Sequence, residues 1–484
     1  MLKTKNRLLS VLFILIFASS FSYAIVPYDS YNYDEPPYPT ILPIPSAPGY
    51  IPVDEIVAKD MGFDKMTGPG DLFLAPDGSF YVVDTGNNRI VHLDGNLKMK
   101  RIVDKFMNDG VEDRFNAPLD VFVTEEGVMY VADTENRRVV ILNKNGELLR
   151  LFGKPNSSLV QKDYKPQKIA VDKSGKIYIV ENGETDGLLQ VDQDGRFLGY
   201  FGANRAQITL LDRIWRLILT KEMKKHLIRV VSAEIANIAI DNSGFIYTTT
   251  CNVYDYHIKR LNRNGVDIMK HEGLAGTLYG DFVRDVKPPM FSDVFVDADG
   301  NFMALNQWRG RIFVYNSLGD LLFIFGGAGS GDQKGMFKVP VALVQKGDYV
   351  YVLDQGKESI TIFKITDFGK AVMKANNLYI NGKYKISAEP WREVLKRDAN
   401  YDLAYAGIGK AYFKVERYED ALKNFRQGYY RSGYSRAFLE YRSELLERSF
   451  DKIMTVIIIG IIGFIALRKL KKKPGTTAGV QGEY

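Results

Sequence analysis

The sequence predicts a mainly β protein: a six-bladed β-propeller, followed by a small all-α domain and one transmembrane helix. Three observations lead to this prediction. A pattern of four short strands recurs about every 48 residues between residues 51 and 366. Beyond residue 366, the period of the apolar residues changes from two residues, typical of strands, to 3.6 residues, typical of helices. Near the C-terminus, the fifteen residues 453–467 carry no charge.

Composition and charge exclude several classes of protein. The chain of 484 residues is 46% hydrophobic and 25% charged, too apolar for a disordered protein and too charged for a polytopic transporter. Of the net charge of +6, residues 1–24 contribute +3 and residues 468–484 contribute +4, so the remainder carries −1. Such a body does not attract phosphates, and no nucleic-acid partner is expected. With one cysteine, Cys251, and four histidines, we expect no disulfide, no zinc cluster and no cofactor.

The N-terminal residues resemble a secretory signal. Residues 1–24 combine a basic start, an apolar run and small residues before a cleavage site preceding Ile25. The alternative is an uncleaved membrane anchor. Residues 25–50 are rich in Pro and Tyr and predict an extended arm, which either docks on the body or spaces it from a neighbour.

The repeats give the propeller its blades. Each copy contains an alternating strand, a turn of the form D-x-x-G, a second alternating strand ending near an acidic residue, a polar turn and a third strand. A fourth strand, as in GELLRLFG, recurs between copies. Four antiparallel strands per unit are typical of propeller blades, and stacking the units in a ring buries their faces. The copies cover residues 68–93, 117–142, 165–191, 236–261, 292–315 and 339–363.

The strings VVDTGNNRIV (82–91) and VADTENRRVV (131–140) resemble the core of NHL repeats. The fourth and fifth copies depart from this pattern, because TTTCNVYDY and LNQWRGR replace its polar turn. The recurring polar residues either form a charged site or tie each hairpin turn to the neighbouring blade, and repetition around a ring favours the second interpretation. These residues are Asp84, Asn88, Arg89, Asp133, Asn136 and Arg138.

An insertion separates the third and fourth copies. Residues 208–231 have apolar residues at helical spacing with Lys and Arg between them, which predicts a basic amphipathic helix. It is either a lid on the propeller or, through Trp215 and the basic cluster, a contact for anionic lipid or a partner.

Residues 367–450 predict a helical domain. Within residues 399–428, aromatic and small residues fall at the offsets of a tetratricopeptide (TPR) repeat, and a weaker copy lies 34 residues upstream, where Pro390 departs from the pattern. The resemblance implies protein binding, and the alternative is a rigid stalk. The candidate partner-binding residues here are Tyr405, Tyr412 and Tyr418.

The apolar segment 453–467 predicts a transmembrane helix, extended at its ends by Lys452 and Arg468. The tail 468–484 begins RKLKKK, and clustered basic residues beside a span stay in the cytoplasm. The expected location is therefore the cell membrane, with one span, the bulk of the chain outside and the tail inside.

No sequence motif of a hydrolase, kinase or phosphate-binding loop is present. The NHL group includes lyases with histidine-held metal, and similar six-bladed lactonases hold calcium in a central pore. Asp71, Asp120 and Asp293 are candidate pore-lining carboxylates on the innermost strands, and the alternative is hydrogen bonding to neighbouring backbone.

Two functions follow from these patterns. The first is a non-catalytic, membrane-anchored extracytoplasmic scaffold that presents its propeller and TPR-like helices to a protein or glycan. The order of segments resembles exported proteins of Gram-positive bacteria, with a loose link to sugar-uptake transporter assemblies. The alternative is a calcium-dependent, lactonase-like hydrolase or lyase acting outside the membrane. A sensor would need a partner, because the short tail holds no signalling domain.

Overall fold

A computed structural model describes residues 26–33, 43–183, 186–202, 234–251, 257–269 and 289–470. The predicted signal segment 1–24, the insertion 208–231 with Trp215, and the tail beyond residue 470 lie outside the described residues. The chain divides into two compact units, which are described separately. Unit 1 comprises Met1–Asn377 and Glu393–Tyr401, and unit 2 comprises Leu378–Arg392 and Asp402–Tyr484.

All the described strands belong to unit 1. In chain order they are β1 (Tyr31–Tyr33), β2 (Pro43–Pro45), β3 (Tyr50–Val57), β4 (Asp71–Leu74), β5 (Phe80–Asp84), β6 (Arg89–Leu93), β7 (Met99–Val103), β8 (Lys105–Asn108), β9 (Val111–Arg114), β10 (Pro118–Val123), β11 (Met129–Asp133), β12 (Arg138–Leu142), β13 (Leu148–Phe152), β14 (Pro166–Val171), β15 (Ile177–Glu181), β16 (Leu188–Val191), β17 (Phe197–Phe201), β18 (Ile235–Ile240), β19 (Ile246–Thr250), β20 (Ile258–Leu261), β21 (Phe291–Val296), β22 (Phe302–Asn306), β23 (Arg311–Tyr315), β24 (Leu321–Phe325), β25 (Gly327–Ala328), β26 (Met336–Phe337), β27 (Pro340–Lys346), β28 (Tyr349–Asp354) and β29 (Ser359–Ile365).

The described helices are α1 (Ala58–Met61), α2 (Asp367–Ile380), α3 (Tyr384–Arg397), α4 (Asp402–Lys414), α5 (Tyr418–Gln427) and α6 (Arg431–Leu470), with a 3₁₀ turn at Thr85–Asn87.

Six antiparallel sheets form the propeller, which confirms the predicted fold class. Blades 1, 2, 3 and 5 each contain four consecutive strands, and blade 4 has three strands within the described residues. The blades are β4–β7, β10–β13, β14–β17, β18–β20, β21–β24, and β27–β29 with β3. The first strands of successive blades contact one another and return from β27 to β4, so the ring is closed.

The hairpin turns follow from the D-x-x-G pattern. In blade 3, the Asp172 carboxylate accepts hydrogen bonds from the backbone N–H groups of Ser174 (2.8 Å) and Lys176 (3.0 Å). Gly175 has φ +81°, a conformation that glycine adopts without strain. The second strands, such as β5 and β15, are buried along their whole length, because adjacent blades cover both of their faces.

The ring closes through the N-terminal strand β3. It pairs antiparallel with β29, from Ser359 opposite Val57 to Ile365 opposite Tyr50, and so supplies the outer strand of blade 6. The Lys346 ammonium of blade 6 also donates to the backbone carbonyls of Gly78 and Gly95 in blade 1, both at 2.8 Å. Blade 6 is therefore joined to blade 1 in two ways. The chain runs from its outer strand β3 into blade 1, and the Lys346 side chain bonds to the backbone of blade 1.

The N-terminal arm docks on the propeller, which answers the question that the sequence left open. The Tyr28 hydroxyl donates to the carbonyl of Tyr50 at 2.7 Å, and Tyr28 is buried. The Arg311 guanidinium of blade 5 lies over the Tyr31 ring, 4.9 Å from its centroid. Strand β1 packs beside β24, so the arm covers part of the outer edge of blade 5.

Unit 1 continues past residue 366, where the sequence places the end of the propeller. The Tyr401 hydroxyl donates to the carbonyl of Leu322. The amide of Asn376 accepts from Asn316 (3.0 Å) and donates to Asn301 (3.1 Å), joining α2 to the hairpin turns of blade 5. All five residues of β24 are buried, whereas the outer strands of blades 1 to 3 are partly exposed.

Unit 2 is a small helical bundle. A Cβ atom on Gly407 would lie 2.4 Å from Trp391, and one on Gly409 would lie 2.5 Å from Phe425. Only glycine therefore permits these two helix contacts, as the sequence predicted for the small residue at position 409. Helix α3 continues through Pro390 without a break.

Helix α6 is the one described helix that is long and apolar enough to cross a membrane. Its most apolar stretch has a mean hydropathy of 2.2, and none of that stretch is buried. The sequence contains no charge between Lys452 and Arg468, consistent with the predicted span.

Candidate functional site at the propeller centre

The first strands of the six blades bring one equivalent residue each to the centre of the propeller. Each of these residues lies opposite the penultimate residue of the second strand of its blade, as Asp120 lies opposite Ala132. We call these six positions the channel ring. In blade order they are Asp71, Asp120, Lys168, Asn237, Asp293 and Ala342.

One half of the channel ring is held by Lys168. Its ammonium nitrogen lies 2.6 Å from Oδ1 of Asp71 and 3.2 Å from Oδ1 of Asp120. The other carboxylate oxygen of Asp120 accepts the backbone N–H of Ile169 at 2.6 Å. Since these residues come from blades 1, 2 and 3, a single ammonium group joins three blades.

The other half is held by hydrogen bonds without a salt bridge. Asp293 accepts the backbone N–H of Leu343 in blade 6 at 2.6 Å and that of Val294 at 2.9 Å. The Asn237 amide donates to Asp293 at 2.7 Å, and its oxygen accepts the N–H of Ile238 at 2.5 Å. Asp120 and Asp293 thus both bond to the backbone of the next blade.

Burial and neighbouring charges together set the protonation of this site. Burial raises the pKa of Asp293 to about 7, with the negative charge of Asp71 adding to the rise and Lys168 opposing it. Burial alone would lower the pKa of Lys168, but Asp71 and Asp120 outweigh it and raise that pKa above its ordinary value. Lys168 is therefore charged at neutral pH, whereas Asp293 gains or loses its proton near pH 7.

A cavity of about 200 Å³ lies against the channel ring. Asp71, Asp120, Asn237 and Asp293 line it together with apolar residues of the same strands. Phe73 and Phe122 are in ring contact, with centroids 5.3 Å apart. The site is therefore a small, half-polar space whose charged groups already have partners.

The channel ring does not fit calcium, the ion implied by the resemblance to lactonases. Calcium takes six to eight oxygen ligands at about 2.3–2.6 Å. Here an ammonium group occupies the space between Asp71 and Asp120, and it would repel a divalent cation. Across the described part of the chain, no three His, Cys, Asp or Glu side chains converge as metal ligands.

The Cys251 thiol does not have the character of a nucleophile. Burial raises its pKa to about 11, so it is protonated at neutral pH. Its sulfur lies 3.4 Å from the carbonyl oxygen of Phe291.

In blades 1 and 2, the recurring polar residues hold the second turn. Asp84 is fully buried and accepts from Arg89 (2.8 Å), Asn87 (2.9 Å) and the backbone N–H of Thr67 (2.7 Å). Blade 2 repeats the arrangement, with Asp133 accepting from Arg138 (2.7 Å), Asn136 (2.9 Å) and the backbone N–H of Asn116 (2.7 Å).

Three residues of these turns also reach the next blade. The Thr85 hydroxyl donates to the carbonyl of Pro118, and Thr134 donates to that of Pro166, both at 2.7 Å. Asn88 accepts the N–H of Ala117 at 2.7 Å. The equivalent of Asn136 is therefore Asn87, which the sequence analysis did not select, while Asn88 joins blade 1 to blade 2.

The predicted partner-binding tyrosines of unit 2 are all half-buried. Tyr412 accepts a hydrogen bond from Arg392 and lies under the Arg417 guanidinium, 4.5 Å from its ring centroid. Tyr418 packs edge-on against Phe413. These side chains present only part of their surface to solvent, and Trp215 lies outside the described residues.

Sequence reasoning missed Lys168, Asn87, Thr85 and Thr134. Lys168 could have been found by aligning KPQKIAV with GPGDLFL and NAPLDVFV, because a lysine then falls at the position of Asp71 and Asp120.

No protein-family model matches the chain, and no curated protein matches it by sequence. Among solved structures, virginiamycin B lyase from Staphylococcus aureus is similar at 11% identity and TM-score 0.41, over 65% of this chain and 99% of that one. A streptogramin B lyase structure is similar at 10% identity and TM-score 0.40, over 71% and 95% of the two chains. A protein of unknown function from Bacteroides thetaiotaomicron is similar at 12% identity and TM-score 0.43, over 65% and 72%.

These similarities are too distant to transfer an activity. The propeller fold is assigned from the chain's own sheet topology, and the function has to be argued from its own residues.

Proposed function

We propose that this protein is a membrane-anchored, extracytoplasmic scaffold that binds a protein or glycan partner and performs no catalysis. In this proposal, the propeller has the architecture of NHL repeats and unit 2 that of a TPR pair. The single span holds the chain in the cell membrane, with residues 468–484 in the cytoplasm. A sugar-uptake transporter assembly is one setting for such a scaffold.

The observation that carries the proposal is the state of the channel ring. Its lysine and aspartates bond to one another or to neighbouring backbone, and the half-buried thiol of Cys251 is protonated. Catalytic groups need to reach a substrate with a pKa suited to proton transfer or attack. The central groups of this propeller are used instead to join its blades.

Helix α6 supports the membrane anchor. An apolar helix with no buried residue in its most hydrophobic stretch is unstable in water, and a lipid bilayer provides the missing apolar environment. The basic residues that follow it favour the cytoplasm for the tail.

Cysteine labelling in whole cells tests this topology. In a Cys251→Ser background, Val111→Cys places a thiol at the exposed tip of the β8–β9 hairpin, and Thr476→Cys places one in the tail. We expect a membrane-impermeant maleimide to label position 111 in intact cells and position 476 only after permeabilisation. Labelling of position 476 alone in intact cells, or recovery of the chain in the soluble fraction, would contradict the proposal.

Partner binding is tested on the full chain purified from detergent-solubilised membranes. We expect a defined protein to co-purify with the wild type and with Trp308→Ala, an exposed tryptophan of the propeller. Trp215→Ala and Tyr418→Ala test the candidate contacts, and loss of the partner in either assigns it to that surface. A glycan partner is tested with the same protein on a glycan array, and binding in neither assay would refute the scaffold role.

The calcium-dependent hydrolase or lyase is tested by calorimetric titration of the same protein with calcium. Stoichiometric binding abolished by Asp71→Asn would favour the enzyme, whereas no binding favours the scaffold.

A further inference from the structure

We propose that the Lys168 ammonium is the permanent cation of the channel ring and takes the place that a metal ion holds in calcium-binding propellers. The carboxylates at the centre of this propeller are then compensated by an ammonium group from blade 3, and the centre does not bind a divalent ion. This inference does not depend on the partner or on the membrane anchor.

The contacts of Lys168 are those of a bridging ion. Its nitrogen bonds to carboxylates from two other blades, and the side chain is 13% exposed against 8% for each aspartate. Two buried carboxylates this close to one ammonium depend on it, because an uncompensated buried charge is strongly destabilising.

A comparison of the equivalent positions of the six blades shows where a lysine stands in place of an oxygen-bearing side chain. Asp71, Asp120, Asn237 and Asp293 place oxygen-bearing side chains at the equivalent position of blades 1, 2, 4 and 5. Blade 3 has Lys168 there, the one cation among the six positions. Lys168 thus gives a ring with four oxygen-bearing side chains its own counter-ion, and the sixth position is Ala342.

The charge of Lys168 is permanent under physiological conditions. Although burial lowers the pKa of a lysine, the two aspartates more than reverse that effect. The ammonium can therefore hold blades 1, 2 and 3 together without any ion from solution.

Thermal unfolding of the full chain in detergent tests the inference. We expect the wild type to have the same Tm in EDTA and in millimolar calcium. Lys168→Met keeps the volume and removes the charge, and we expect its Tm to fall by roughly 5 °C or more. Lys176→Met, an exposed lysine of the same blade, is the matched control and should leave Tm unchanged.

Chemical rescue separates charge from packing. Lys168→Ala leaves room for a small molecule, and we expect added propylammonium to restore its Tm while 1-propanol does not. Should Lys168→Met fail to fold, Lys168→Arg keeps the charge and is expected to retain the fold.

Three results would overturn the inference. The first is a wild-type Tm that rises with calcium and falls with EDTA. The second is a Lys168→Met protein as stable as the wild type. The third is rescue of Lys168→Ala by propanol as effective as rescue by propylammonium.

Discussion

At the scale of single residues, the propeller uses buried charge to join blades. Asp84 and Asp133 are fully buried, and each has an arginine partner and a backbone donor. Asp293 is also buried, but its bonds come from an amide and from backbone N–H groups. The three aspartates thus differ in their charge compensation, and burial raises the pKa of Asp293 to about 7.

This difference predicts a pH-dependent stability. The pKa of Asp293 is about 7 in the folded chain, above the ordinary 3.8 of the unfolded chain. Its contribution to stability is fully present below pH 3.8 and is lost as pH rises towards 7. At ~1.4 kcal/mol per pKa unit, the loss is about 4 kcal/mol at most.

Denaturant unfolding of the wild type and Asp293→Asn between pH 4.5 and 8 measures this contribution. The asparagine cannot ionise, so we expect the wild type to lose stability relative to the variant as pH rises. A constant difference between the two proteins across this range would contradict the assignment.

At the scale of elements, the closure of the ring depends on blade 6. Strand β3 lies at the outer edge of that blade, where Pro52 is tolerated because an edge strand has one side without ladder hydrogen bonds. Lys346 adds two bonds to blade 1, and its ammonium lies 5.2 Å from the centroid of the Phe80 ring.

Lys346→Met is therefore expected to lower the free energy of unfolding, because it removes the side-chain contact between blade 6 and blade 1. It removes two charge-assisted hydrogen bonds and leaves two carbonyls without their donor, at a cost of about 2–3 kcal/mol. Lys334→Met removes an exposed salt bridge to Asp54 and should cost less than about 0.5 kcal/mol. The free energy of unfolding of both variants, measured by denaturant titration, checks this difference, and equal values would refute it.

At the scale of the whole molecule, the propeller unit is larger than its repeats. The arm residues Tyr28 and Tyr31, the start of α2 and the segment Glu393–Tyr401 all belong to unit 1. Strand β1 contacts β24, and Tyr401 bonds to the carbonyl of Leu322 in that strand, whose sequence LLFIF is apolar throughout. A propeller cut at the ends of its repeats would expose that strand.

Expression of two fragments tests this boundary. We expect residues 51–366 to aggregate, because an apolar outer strand and its edge are exposed. A fragment of residues 26–401, with the same propeller, should remain monomeric. Gel filtration and light scattering distinguish the two outcomes, and a stable monomer of 51–366 would show that the added segments are dispensable.

The sequence predicted the repeating strands and turns but missed the closure strand and the lysine of the channel ring. The D-x-x-G turns and alternating strands identified six blades, because each blade is subject to the same constraints. The closure strand YIPVDEIV contains a proline and two acids, so its own pattern gives no sign of its partner. Lys168 was missed because a lysine in a strand usually lies in solvent, and its place beside Asp71 and Asp120 emerges only when the copies are aligned and arranged in a ring.

The pairing of β3 with β29 has a consequence for biosynthesis. Glu55 and Ser359, which bond to each other in the finished blade, are 304 residues apart in the chain. The first propeller strand to be synthesised, β3, therefore remains without its partner until the last one, β29, has been made. Its proline and acidic side chains discourage association with other nascent chains during that interval, and the propeller becomes complete only when its final repeat has been made.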